Sequence, residues 1–156
     1  MAGIGPRMLQ FRYQLRSYGW ALATIASEEH EFSIRASYVD DALRDFADAL
    51  QGLFVRDTTE CVWEQEPGAV LWEFRRTGSS LTVKAQWDNE DRASFVGEDD
   101  LVHFGSEVDK ELDALLCKWG EEGYLKQWGH RFPKEAHAAL KQAIDLERLR
   151  RTPTGA

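Results

Sequence analysis

The residues of this chain that could do chemistry are its histidines and carboxylates, and they come closest together around His103. Glu98, Asp99 and Asp100 precede this histidine by three to five residues. A histidine beside a carboxylate can act as a general acid or base, or it can bind a metal ion. A solvated acidic loop with a neighbouring histidine is far commoner than a catalytic site, so this spacing alone favours a structural interpretation.

Other signatures of catalysis or metal binding are absent from the sequence. His130 and His137 are seven residues apart, whereas a helical metal pair needs an i, i+4 spacing. A calcium loop that began at Asp88 would have Arg92 as its fifth residue and Ala93 in place of its glycine. No glycine-rich phosphate loop, nucleophile elbow or Cys-x-x-Cys pair occurs. We therefore predict no catalytic residue, no cofactor and no metal ion.

Three tryptophan-bearing stretches in residues 60–88 predict the scaffold that positions these groups. Apolar and polar residues alternate along each stretch, and turn-forming sequences join the stretches at residues 66–68 and 77–80. This pattern predicts an antiparallel meander with one buried face. The alternation places Trp72 and Trp87 on that buried face, so the meander is expected to build a core rather than an exposed aromatic platform for a ligand.

Strand-like alternation also covers residues 11–26 and 32–36, and residues 95–104 are compatible with short strands. Apolar residues at helical spacing predict helices after the first strands and after the meander. The predicted fold class is α+β: an antiparallel meander sheet of about five to six strands with three to four helices packed on one face.

Capping signals define the predicted helices. Ser37 is a plausible N-cap for an amphipathic helix over residues 38–54, whose acidic outer face we interpret as solvated. A second helix is expected from Ser106 to Gly120, and a last helix has Pro133 in its first turn. Trp128, between these two helices, is the best candidate for a partly exposed tryptophan.

Length and composition indicate one globular domain. The 156 residues, 43% of them hydrophobic, can bury a core without metal or disulfide bonds, and we expect residues 1–8 and 149–156 to be flexible tails. Cys61 and Cys117 lie far apart, which favours two buried free thiols in a reducing compartment. With no secretory signal and no apolar run of membrane-spanning length, a cytoplasmic location is predicted.

The formal net charge of −8 is concentrated in residues 88–113, which hold ten acids against Arg92 and Lys110. Such a distribution argues against nucleic-acid binding and would attract a basic protein partner. Apolar side chains among these acids could supply buried contact area. The residues predicted to bind the partner are Asp88, Glu90, Asp91, Phe95, Glu98, Asp99, Asp100 and Phe104.

Three local patterns resemble small acidic bacterial proteins of uncharacterised function, some of which act as immunity partners of secreted antibacterial toxins. The patterns are ASYVDDAL at residues 36–43, WEQEPGAVLWEF at residues 63–74 and WGHRFP at residues 128–133. The resemblance spans about residues 11–145. Its motifs form a helix cap, a hairpin and a helix entry, so the resemblance implies a fold and a binding role but no catalytic residue.

Three functions are compatible with the sequence. The first is a non-catalytic binding protein, in its specific form an immunity protein that covers a basic toxin domain with residues 88–113. The second is a small enzyme or ligand-binding module whose pocket between sheet and helices uses His103 or His130 with a carboxylate. The third is a self-associating scaffold protein, since the sequence also allows a homodimer. No nucleic-acid or membrane partner is predicted.

Overall fold

The computed structural model describes residues 8–16, 18–88 and 94–151 and has an α+β architecture, which confirms the predicted class. Within these residues the chain forms seven strands and three helices. In chain order they are β1 (Gln10–Leu15), β2 (Trp20–Ala26), β3 (Glu31–Ser37), α1 (Ala42–Gly52), β4 (Thr58–Glu64), β5 (Ala69–Thr77), β6 (Ser80–Trp87), β7 (Ser94–Asp100), α2 (Leu101–Trp128) and α3 (Lys134–Arg151).

The strands form two antiparallel meanders, β1-β2-β3 and β4-β5-β6-β7. The prediction of one sheet with five to six strands was therefore wrong. The division falls at α1, which separates β3 from β4 in the sequence. Each strand of the described residues pairs with strands on its own side of this helix. A side-chain contact links the two sheets, since Gln65 Nε2 donates a hydrogen bond of 2.7 Å to the carbonyl of Arg35.

The tryptophan meander follows the predicted pairing. The β5–β6 turn contains Gly78 at φ 61°, a conformation that glycine adopts without strain. Glu73 lies directly opposite Lys84 on the outer face of the sheet. Trp72 is fully buried on its inner face, as predicted, and so is Trp63, whereas Trp87 is only half-buried against the core.

The side chains on the inner faces of both sheets meet in one core around Phe46 of α1. Its ring stacks on Phe11 of β1 at a centroid distance of 4.7 Å and meets Trp72 of β5 at 4.8 Å. Trp128, which was expected to be partly exposed, is fully buried, and its Nε1 donates a hydrogen bond to Asp41 Oδ1 at 3.2 Å. This bond satisfies the indole N–H, so the ring can close the core beneath the start of α1.

The first helix begins later than its sequence predicts. Ala42 is its first residue and Asp41 its N-cap, whereas Ser37 ends β3. The Ser37 hydroxyl donates a hydrogen bond to the carboxylate of Glu66 and accepts one from the backbone N–H of Val39. Because the hydroxyl is engaged in these contacts, it does not cap the helix.

The later helices also differ from the sequence prediction. α2 begins at Leu101, where the Asp100 side chain caps it by accepting a hydrogen bond from the backbone N–H of His103, so Ser106 is not the cap. Gly120, with φ 66° and ψ 173°, is not helical and divides α2 into two helical segments, so a helix does end at this glycine as predicted. α3 starts at Lys134, so Pro133 lies just before the helix rather than in its first turn, and the helix includes residues 149–151 of the expected tail.

Both cysteines are free, but only one is shielded. Cys61 is half-buried, and this burial raises the pKa of its thiol. Cys117 is exposed on α2, so the prediction of two buried thiols was wrong for this residue. Among the described residues, no helix is both long and apolar enough to cross a membrane.

Candidate protein-interaction groove

The acidic segment was predicted to present aromatic side chains to a partner, and the structure places those side chains in the core. Phe95 is 2% exposed and Phe104 is fully buried. Phe104 lies 6.3 Å from the ring of Phe11 and 6.4 Å from that of Phe46. Neither phenylalanine can contact a partner without unfolding this part of the molecule.

Asp99 in the same segment is a structural residue. Its carboxylate accepts hydrogen bonds from the backbone N–H groups of Leu9 at 3.0 Å and Asp100 at 2.6 Å, and it contacts His103 Nδ1 at 2.7 Å. Burial raises the pKa of Asp99 even though these three contacts favour its ionised form. The cluster fastens the chain before β1 to the junction of β7 with α2.

Asp100 is also bonded within the molecule. Besides capping α2, its two carboxylate oxygens accept hydrogen bonds of 2.8 and 3.0 Å from Arg151 Nη1 at the end of α3. Asp88 and Glu98 are exposed, while Glu90 and Asp91 lie outside the described residues. The predicted partner-binding set is therefore divided between the core, internal bonds and the surface.

A third acidic cluster joins α2 to α3. His137 Nε2 lies 2.9 Å from a carboxylate oxygen of Asp109 and 3.2 Å from one of Asp113. The spacing of these three ligands would suit a metal ion. However, the ammonium group of Lys141 lies 3.1 and 3.5 Å from the same two carboxylates, and contact with Asp109 raises the pKa of this lysine. A cation is already in place, so the cluster is best explained as a clamp between two helices.

The histidines considered for catalysis also have structural contacts. His103 contacts Asp99, and His130 Nε2 lies 2.6 Å from the backbone carbonyl of Tyr38, where it ties the end of α2 to the loop before α1. Neither histidine lines any of the four best-formed cavities of the described surface.

A long open groove lies between α1 and β4, with a cavity volume of about 1260 Å³. One wall is the outer side of α1, and the other is the β4 strand and the solvent face of β5 and β6. α1 is fixed beside the strand because the Thr59 hydroxyl donates a hydrogen bond of 2.7 Å to the carbonyl of Ala49. The residues lining the groove are Asp40, Asp45, Asp48, Ala49, Gly52, Arg56, Thr58, Thr59, Glu60, Cys61, Val62, Glu73, Phe74, Arg75, Thr82 and Lys84.

The charged residues of the groove are arranged unevenly. All three charged residues of the α1 wall and its preceding loop are acids: Asp40, Asp45 and Asp48. Burial raises the pKa of Asp45 and of Asp48, although Arg44 acts on both in the opposite sense. Asp45 also accepts a hydrogen bond of 3.2 Å from Arg44 Nη2, so Asp48 is the acid of this wall that would gain most from an added cation.

Glu60 on β4 extends this acidic character across the groove. It faces Glu73 of β5 directly, and two like charges in such a cross-strand pair destabilise each other. Lys84 lies on the far side of Glu73. Within the part of the chain that the structure describes, neither Asp48 nor Glu60 has a hydrogen bond or an ion pair from its side chain. Arg56 and Arg75 supply positive charge at the Thr58 end of the groove.

Comparison with known proteins finds no match: no protein-family model, curated protein or solved structure is significantly similar to this chain. Its function is therefore inferred from the groove itself.

The sequence indicated one wall of this groove but not the other. The acidic face of the first helix is visible in the sequence from Asp40, Asp45 and Asp48, but that face was interpreted as merely solvated. What the sequence does not show is that β4 is the edge strand of its sheet and lies next to this face. The groove forms because the edge strand β4 lies next to the acidic face of α1.

Proposed function

We propose that this protein is a non-catalytic binding protein that holds a basic part of a partner protein in the groove between α1 and β4. The observation that supports the proposal best is that Asp48 and Glu60, on opposite sides of the groove, have no hydrogen bond or ion pair from their side chains among the described residues. A partner's lysine or arginine side chains would supply the missing charge, steer association and fix the register of binding.

The location differs from the one that the charge count in the sequence favours. In residues 94–113 the carboxylates of Asp99, Asp100 and Asp109 are bonded to the protein's own hydrogen-bond donors. A partner would have to displace these donors before it could use the same charges. At Asp48 and Glu60 the groove requires no such exchange, and for this reason we assign binding to it.

The resemblance to bacterial immunity proteins suggests the more specific form of this proposal. In that form the protein acts in the cytoplasm, and the partner is a basic toxin domain whose substrate-binding surface is covered by the acidic groove. The alternative of an enzyme that uses His103 or His130 gains no support from the four best-formed cavities of the described residues, because neither histidine lines one of them.

The proposal is tested by charge reversal inside and outside the groove. The groove variant carries Asp45→Lys and Asp48→Lys, and the matched control carries Asp88→Lys and Glu98→Lys. Each substitution adds two charges, so both variants move from a net charge of −8 to −4. The binding probe is a synthetic peptide of alternating lysine and threonine, acetyl-(Lys-Thr)4-amide, and titration calorimetry measures its affinity.

The groove variant is expected to bind the peptide about tenfold more weakly than the unsubstituted protein, because two favourable charge contacts become repulsive. The control variant should lose no more than about twofold, the part that comes from long-range attraction. Equal losses in the two variants would show that net charge alone governs binding and would overturn the assignment to the groove.

For the immunity form, the partner to test is a basic toxin domain encoded beside this gene. Cells that express the toxin should survive with the unsubstituted protein and with the control variant, and they should die with the groove variant. Protection by all three proteins would contradict an interaction through the groove.

A further inference from the structure

Among the residues that the structure describes, one backbone edge of β4 has no strand partner. β4 is the terminal strand of the four-stranded sheet, and within this part of the chain it pairs only with β5. Antiparallel pairing sends the N–H and C=O groups of successive residues to opposite edges. Two bonds fix which residues face β5: Arg76 N–H donates to the carbonyl of Asp57 at 2.8 Å, and Gln65 N–H donates to the carbonyl of Gly68 at 2.9 Å.

Asp57 and Gln65 thus bracket the strand, and the odd-numbered residues between them also bond to β5 according to the register. The even-numbered residues Thr58, Glu60 and Val62 therefore direct their backbone N–H and C=O groups into the open groove. No hydrogen bond to these outward groups occurs within the described part of the chain.

The open part of the edge has a defined length. Beyond Val62 the strand approaches β3, where Gln65 bonds to Arg35 and Glu66 to Ser37, so the groove closes at that end. The free stretch from Thr58 to Val62 is about 17 Å long at about 3.3 Å per residue. α1, with its 11 residues, runs about 16 Å beside it. The space fits an extended segment of about five residues.

We propose that the groove binds an extended basic segment of a partner protein as an added antiparallel or parallel strand on β4. This inference rests on the function proposed above and specifies its geometry: the occupant's backbone pairs with Thr58, Glu60 and Val62, while its side chains alternate between the two walls. Such strand addition draws affinity from main-chain bonds and specificity from the side chains of alternate residues.

The charges define which side chains the occupant carries. An occupant residue paired with Glu60 projects its side chain over the solvent face of the sheet, where a lysine or arginine would offset the repulsion between Glu60 and Glu73. The next occupant residue projects towards α1, where Asp45 and Asp48 lie. Basic side chains are therefore accommodated on both faces of the added strand.

A second copy of this chain is a poor occupant of the same edge. If two β4 strands paired around a twofold axis at Glu60, the two Glu60 carboxylates would face each other, and both acidic α1 walls would border the joint. Two chains that each carry a net charge of −8 would also repel each other at long range. The partner is therefore a different, basic chain.

The strand geometry is tested with backbone-modified forms of acetyl-(Lys-Thr)4-amide. In one form the backbone amide nitrogens of the four lysines are methylated, and in the other form those of the four threonines are methylated. An added strand uses the N–H groups of only one of these sets, because alternate residues face opposite edges. We expect one form to bind at least about tenfold more weakly than the unmodified peptide and the other to stay within about threefold.

The outcomes separate the two proposals. If both methylated peptides bind equally well, or equally poorly, strand addition is overturned, while a basic ligand in the groove remains established by charge reversal. If acetyl-(Lys-Thr)4-amide binds no more tightly than acetyl-(Glu-Thr)4-amide, the proposed function itself fails, and strand addition fails with it.

A substitution in the protein gives an independent result. Val62→Pro removes an N–H that points into the groove and leaves the bonds to β5 intact, and proline is tolerated at such positions of edge strands. Val62→Ala makes a similar change in the side chain but keeps the N–H. Val62→Pro should weaken peptide binding about tenfold and Val62→Ala at most about twofold. Equal affinities would overturn pairing at Val62.

Discussion

Two regions of this protein are rich in carboxylates, and they use them in opposite ways. In residues 94–113, Asp99, Asp100 and Asp109 accept hydrogen bonds from buried backbone groups, from arginine and from lysine. In the groove between α1 and β4, Asp48 and Glu60 have no such donors among the described residues. The denser acidic sequence is thus the less available one. The supply of internal donors, rather than the count of acids, determines where a basic partner can bind.

The two groups of carboxylates also differ in their effect on the stability of the fold. Carboxylates that accept hydrogen bonds hold secondary-structure elements together, and removing one leaves its donors buried without a partner. Carboxylates that are crowded by other acids or partly buried without a donor weaken the fold slightly. The first kind is explained by stability, whereas the second kind calls for a role in binding. The predictions below test this contrast in order of decreasing effect.

The largest effect concerns the phenylalanines of the acidic segment. Phe104→Ala should lower the free energy of unfolding by about 3–5 kcal/mol, because it removes a fully buried ring that contacts the rings of Phe11 and Phe46. Val96→Ala, an exposed position on β7, should change it by less than about 1 kcal/mol. Urea unfolding measures both. A loss of unfolding free energy below about 1 kcal/mol for Phe104→Ala would contradict the buried position of this ring.

A smaller effect is expected when one acid is removed from each region. Asp99→Ala should destabilise the protein by about 2–3 kcal/mol, because the backbone N–H of buried Leu9 loses its acceptor. Glu60→Ala should leave the free energy of unfolding within about 0.5 kcal/mol of its original value. The contrast between the two regions would break down if Glu60→Ala proved as damaging as Asp99→Ala in the same urea series.

Peptide affinity, unlike stability, should depend on the acids of the groove. The groove variant with Asp45→Lys and Asp48→Lys should lose about 1.4 kcal/mol of peptide affinity, which corresponds to tenfold. Added salt should reduce the affinity of the unsubstituted protein, since the Debye length falls from about 30 Å at 0.01 M to about 8 Å at 0.15 M. Calorimetry at the two salt concentrations checks this, and an affinity indifferent to salt would contradict an electrostatic groove.

The smallest effect depends on pH. Burial raises the pKa of Asp48, so the folded state holds this proton more tightly than the unfolded state does. Ionisation therefore costs stability as the pH rises through the raised pKa. Asp48→Asn removes that cost and should stabilise the protein at pH 7 by a few tenths of a kcal/mol, a small gain because solvent screens this exposed carboxylate. At about pH 3, where Asp48 is protonated, urea unfolding should show no gain for Asp48→Asn. If Asp48→Asn destabilised the protein at pH 7, the charge of Asp48 would be favourable in the folded state, which would contradict this account.

Local patterns in the sequence predicted the parts of the fold that depend on local physics. Alternation and turn chemistry predicted the three tryptophan strands, and Pro133 marked the start of α3. The helix starts at Ala42 and Leu101 were missed. In each case a nearby serine, Ser37 or Ser106, offered a cap signal as good as that of the residue that precedes the helix.

The candidate site could not be predicted from the sequence because it depends on distant contacts. Asp99 is bonded to Leu9, which is 90 residues away, and this contact removes the acid from the surface. The edge position of β4 follows from the division into two sheets, which no local pattern encodes. The sequence identified the acidic residues of α1, but only the fold places them beside an unpaired strand.

Chemical-shift mapping of the protein with acetyl-(Lys-Thr)4-amide tests the central claim most directly. Backbone amide signals are recorded while the peptide is added, and the shifted residues are located in the structure. The largest changes should fall on residues 45–62, with alternation along β4 that singles out Thr58, Glu60 and Val62, while residues 94–113 stay nearly unchanged. Changes centred on residues 94–113, with β4 unaffected, would contradict the account.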